Sequence, residues 1–190
     1  MKPVERPDRL PISAWVLRLA GWLPVCFVAW WFLASTMNVL VGELSRFALN
    51  ALAGGFVTQT ETGSGGITFV TRVASGAGYL TVDVEPRLFS YGLPLGAAIL
   101  LAALPRGLWW KLMVLVAAVL PIVVWGATFD VLAHLMRSAP AWSAATLGPT
   151  GINLVALAYQ LGSLIFPAMV PVAVAVALSW KRIGIERRSP

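Results

Sequence analysis

The 190-residue chain has one cysteine, one histidine and only eight acidic residues, and each shortage excludes something. Cys26 has no second cysteine with which to close an internal disulfide. One histidine beside one carboxylate is too small a ligand set for a metal site. Charged residues make up 12% of the chain, and the only ionisable side chain inside a long apolar run is Lys111, close enough to an end to snorkel out. Ion-coupled pumps keep acids or bases within the membrane, so this distribution argues against one. There is no internal repeat, no low-complexity tract and no motif that requires a cofactor.

What the chain does have is apolar surface. Hydrophobic residues account for 58% of it, and the mean hydropathy is +0.80, beyond an ordinary soluble domain. Four apolar runs stand out, at residues 19–41, 89–104, 108–129 and 152–180. About 20 such residues cross the hydrocarbon of a bilayer as a helix. The expectation is therefore a single integral membrane domain, an all-α bundle of four transmembrane helices with a small antiparallel β meander between the first two. The first run resembles a signal peptide in position. However, Glu5 and Asp8 interrupt its basic leader, its core exceeds the 7–15 residues expected, and no small-x-small cleavage site follows. It reads as a retained anchor, with Pro24 near its start. Residues 105–107 make the second and third helices antiparallel neighbours. The fourth run is longer than an untilted span needs, and Pro167 and Pro171 are expected to kink it.

Charge sets the orientation. With the N-terminus inside, the head (1–18), the 105–107 link with Lys111, and the tail (181–190) hold ten basic residues against three acidic ones, or +7. The other side holds four basic against five acidic, or −1, and the two make up the formal +6. Positive flanks stay cytoplasmic, so both termini are expected there. The pI near 10.3 thus points to orientation and anionic lipid headgroups, with no nucleic-acid partner. Trp15, Trp109, Trp110, Trp125, Trp142 and Trp180 fall near the expected interfaces, as an aromatic belt requires.

The stretch 42–88 is the main extracytoplasmic element. Residues 42–52 alternate as an amphipathic helix, with Leu44, Phe47, Ala48, Leu49 and Leu52 apolar, and suit the membrane–water interface. Three strand-like runs follow, 56–61, 67–73 and 79–85, separated by glycine-rich turns. Ile67, Phe69, Thr71 and Val73 share one face. Residues 130–151, containing Pro140, Gly148, Pro149 and Gly151, read as a second outer loop.

Two constellations carry possible chemistry. Asp130, His134 and Arg137 lie at i, i+4 and i+7, on one stripe if the third helix continues outward. A carboxylate can orient an imidazole as a base, with the arginine holding an anion; the plainer reading is a solvated helix end. Cys26 is not their nucleophile, because its depth in the first helix leaves it roughly 20 Å from His134. It reads as a small apolar packing residue. Asn153, Tyr159 and Gln160 suit interhelical hydrogen bonds, and Gly162-Ser163 and the Gly92, Gly96, Ala97 series suit close helix contact.

The densest local pattern runs from Asp83 to Leu95: a strand ending at Pro86, charges of both signs, an aromatic pair, then Tyr91-Gly92-Leu93-Pro94-Leu95. It reads either as a membrane-anchored strand-to-helix junction or as a docking element, with Arg87, Tyr91, Gly92 and Pro94 as partner-binding candidates. Together with the Val70–Val73 run and the order of elements, it resembles the exosortase H-associated membrane proteins. It departs from them at Glu85, where family members favour Asn before the proline. The resemblance implies a small multi-pass protein of the Gram-negative inner membrane, set beside a transpeptidase that processes C-terminally tagged surface proteins. It supplies no catalytic residues. The expected function is a non-catalytic accessory protein of an exosortase-type sorting system, with membrane lipids and an exosortase-like integral membrane protein as partners. The alternatives are a structural subunit of a pilus or secretion machine, and a membrane enzyme using Asp130, His134 and Arg137.

Overall fold

A computed structural model describes residues 11–63, 65–75 and 78–183. Most of the head (1–10), Ser64 and residues 76–77 of the two turns, and residues 184–190 of the tail lie outside the described residues.

The chain is mostly helical, with one three-stranded sheet. Helix α1, Ile12–Leu33, starts just after Pro11. It begins earlier than the apolar run, so Pro24 falls mid-helix rather than near its start, and the Ala20 carbonyl has no donor at i+4. A 3₁₀ turn, Ala34–Met37, joins α1 to α2, Asn38–Ala53. The run 19–41 is thus shared between two helices. Three stretches are long and apolar enough to cross a membrane: Ile12–Ala53, Leu108–Ser138 and Pro140–Trp180. The fourth, Arg87–Ala103, is apolar but shorter.

Strands β1 (Val57–Thr62), β2 (Ile67–Ser75) and β3 (Gly78–Val84) form an antiparallel meander in the order β1-β2-β3. Thr60 faces Phe69, and Phe69 faces Val82. The expected face of Ile67, Phe69, Thr71 and Val73 is buried, joined by Val57, Val82 and Val84. A small sheet is marginal alone, and α2 supports this one through polar ties. Asn38 Nδ2 donates to Gly63 O (3.0 Å), and the Thr60 hydroxyl donates to Glu43 Oε1 (2.7 Å). Asn50 pairs with the Val57 backbone through both ends of its amide, at 2.9 and 3.1 Å. Gly54, with φ +76°, ends the helix in the left-handed region that glycine tolerates. The buried face of α2 is Asn38, Val41, Gly42, Ser45 and Leu49, while Leu44, Phe47 and Leu52 point outward. Ser45 approaches Val124 O (3.5 Å), so α2 lies across α5 rather than climbing away from the bundle.

After the short helix α3 (Arg87–Ser90), α4 (Gly92–Ala103) is buried on most sides, with α1, α5 and α7 around it. Helix α5, Leu108–Ser138, is about 46 Å long at 1.5 Å per residue, well beyond a 30 Å core. Its outer part packs against α2 and β3. Residues 130–151 are therefore mostly helix rather than loop, broken at Ala139 between α5 and the next helix. Val131, Leu132 and Leu135 carry the apolar stripe outward, and α6, Pro140–Gln160, starts with proline at its first position. Gly148 (φ +64°) breaks α6 before Pro149. A π-helical turn, Leu161–Ile165, precedes Pro167 and leads into α7, Phe166–Ile183. The irregularity expected from the prolines is thus placed one turn ahead of them.

Candidate functional site

The strand-to-helix junction is built as a joint. Leu88 N–H donates to Glu85 O and Phe89 N–H to Pro86 O, so the chain turns from β3 directly into helix. The Phe89 side chain packs directly on Gly126 of α5, where any Cβ would overlap it. One residue on, Ser90 Oγ accepts the Trp30 indole N–H at 3.2 Å, tying α1 to the start of α4. Arg87 stacks over Trp31, 4.6 Å from the ring centroid, and lies 3.7 Å from Glu85. The Tyr91 hydroxyl donates to Leu164 O at 3.4 Å, within the π turn. Gly92 meets the carbonyl of Pro167, where a Cβ would overlap the oxygen. Pro171 has no N–H, so that carbonyl lacks its helical donor, and the Gly92 Cα–H stands in its place.

Of the four partner-binding candidates, Gly92 and Pro94 are buried and serve the packing of α4. Arg87 and Tyr91 are half-buried, and Leu88 between them is 58% exposed. The residues that sequence reasoning missed are Trp30, Trp31, Gly126 and Pro167. A tryptophan pair close to the end of an apolar helix and a glycine inside the longest helix were the available signals.

Asp130, His134 and Arg137 do share one stripe, because α5 continues through them. Asp130 is buried (7% exposed), and its Oδ1 is 3.5 Å from His134 Nδ1, which also lies 3.3 Å from the Asp130 carbonyl. The His134 side chain is about half open, at 45%, and Arg137 is exposed. A carboxylate orienting an imidazole is present, but Cys26 lies elsewhere, in the wall of a groove between α1, α4 and α5. Among the described residues, no group of three or more His, Cys, Asp or Glu is placed to hold a metal.

The outward side of the sheet is polar. Thr68 Oγ1 donates to Asp83 Oδ1 at 2.6 Å, and these two with Glu85 and Gly66 line a cleft of about 420 Å³ beside the junction. Tyr79, near the start of β3, is 71% exposed. The opposite side is closed by Phe56 against Trp142, with ring centroids 5.0 Å apart.

Comparison with known proteins gives one match: the family described as exosortase H-associated membrane protein aligns with residues 9–182, nearly the whole chain. No curated protein and no solved structure matches it.

Proposed function

Because the chain belongs to the exosortase H-associated membrane protein family, we propose that it is a non-catalytic accessory protein of an exosortase-type protein-sorting system. In this reading it crosses the inner membrane four times, with α3–α4 as the short span and both termini cytoplasmic. The positive flanks at one end of the bundle support that orientation. The sheet then lies on the periplasmic side and contacts the enzyme or its tagged substrates. The exposed apolar residues of α2, Leu44, Phe47 and Leu52, suit a helix resting in the outer interface.

One observation carries the proposal. The sheet passes into α4 through a joint fixed by Phe89 on Gly126, Trp30 on Ser90 and Gly92 on Pro167. A strand held this rigidly to the membrane helices presents its polar face, Tyr79 and Leu88 at a set height and angle. That is a requirement for positioning one membrane protein against another, since less is lost in ordering a preformed surface. Arg87 and Tyr91 sit at the rim of that surface, and residues of their type recur at binding hot spots.

Gentle-detergent purification from native membranes followed by mass spectrometry tests the proposal. An exosortase-type enzyme or a tagged substrate is expected to co-purify; recovery of pilus or secretion-machine subunits in its place opposes it. A second reading, a membrane enzyme using Asp130, His134 and Arg137, is favoured by the Asp130–His134 contact alone.

A further inference from the structure

The groove between α1, α4 and α5 has a floor made by one stripe that runs from the end of α3 along α4, with Ser90, Pro94, Ala97 and Leu101 in line. Its walls include Cys26 and Val116, its volume is about 460 Å³, and its lining is almost wholly apolar. Cavities of this size ordinarily hold small molecules. Midway along it the Trp30 indole and the Ser90 hydroxyl satisfy each other, and the lining continues past them to Met37, Val41, Pro86 and Val123. Trp109 marks the opposite end.

Length decides what fits. From Trp109 to Val123 along α5 the lining runs about 21 Å at 1.5 Å per residue. The groove thus has the length of one long, extended acyl chain.

Charge selects the headgroup. Arg18 lies 12 residues before Trp30 in α1, about 18 Å along the helix, and Arg106 follows the end of α4 in the turn before Trp109. Both are exposed. Lys111 and Arg182 stand at the same end, and among the described residues there is no acid there. A basic rim beside an apolar slot between membrane helices is how anionic headgroups are held.

We infer that this groove binds one anionic phospholipid, with an acyl chain along α4 and the phosphate at the Arg18–Arg106 rim. The site is separate from the sheet and the junction, so it stands or falls independently of the exosortase partnership.

The test is native mass spectrometry of the delipidated full chain titrated with dioleoyl phosphatidylglycerol or dioleoyl phosphatidylcholine. One phosphatidylglycerol is expected to bind, about tenfold more tightly than phosphatidylcholine. Arg18→Gln with Arg106→Gln removes that preference while weak binding of both lipids persists. Ala29→Trp, placed on the exposed α1 rim of the groove so that folding is spared, abolishes binding of both. Unchanged thermal unfolding of each variant confirms that it is folded. Equal affinity for the two lipids in the wild-type chain, or full lipid retention by folded Ala29→Trp, overturns the inference.

Discussion

The α carbon of Gly92 rests against the carbonyl oxygen of Pro167, so closely that α4 and α7 have no room for a side chain between them. Gly92→Ala must push the helices apart or tilt them, and overpacking of this kind costs about 1–3 kcal/mol. Thermal unfolding in detergent is expected to show a lower midpoint and a lower yield of folded protein. Gly21 in α1 has nothing within 4 Å of a built Cβ. Gly21→Ala is accordingly expected to leave the midpoint unchanged or slightly raised, since alanine is the better helix former.

The Trp30–Ser90 hydrogen bond ties α1 to the junction. Trp30→Phe and Ser90→Ala each remove it, at about 0.5–1.5 kcal/mol. If the bond is what the two residues share, the double variant costs less than the sum of the singles. A double-mutant cycle on unfolding free energy measures this, and strict additivity would show that the bond contributes nothing.

His134 is half open at its helix end, and removing it disturbs little packing. His134→Ala is expected to change stability by within about 0.5 kcal/mol and to leave cellular sorting intact. Loss of sorting at wild-type protein abundance would promote Asp130, His134 and Arg137 to a working site.

Much of this fold was legible because its signals are periodic. The alternation of Ile67, Phe69, Thr71 and Val73 gave the buried sheet face, and the glycine clusters gave the turns. What sequence concealed were helix boundaries. The run 19–41 is continuously apolar, so nothing in its hydropathy marks the turn at Ala34–Met37 that redirects the chain into α2. Residues 130–151 looked like a loop because charges, prolines and glycines are frequent there. Yet Val131, Leu132 and Leu135 keep a helical stripe packed in the core, and Pro140 begins a helix. Residues 42–52 read as an amphipathic helix at the interface; in the fold Glu43 and Asn50 bind the sheet, as does Asn38 from the end of the first apolar run. For the candidate site, the motif was visible while its roles were not. Gly92 and Pro94 look like recognition elements in one dimension, but their partners are 70 or more residues away in α7 for Gly92 and inside the bundle for Pro94.

Topology is testable apart from any partner. If, as proposed, both ends are cytoplasmic, alkaline phosphatase fused after Gly65 is expected to be active and the same enzyme fused after Ile183 inactive. Activity at the second site would leave an odd number of spans.

Site-specific photo-crosslinking in native membranes tests the central claim most directly. A photoreactive residue at Tyr79 or Leu88, both well exposed at the sheet and the junction, is predicted to crosslink to an exosortase-type enzyme or a tagged substrate. The same probe at Val28 on the exposed side of α1 serves as the lipid-facing comparison. Crosslinks to that partner from Tyr79 and Leu88 but not from Val28 are the predicted result. Partner crosslinks from Val28 alone, with none from the sheet or the junction, would contradict the account.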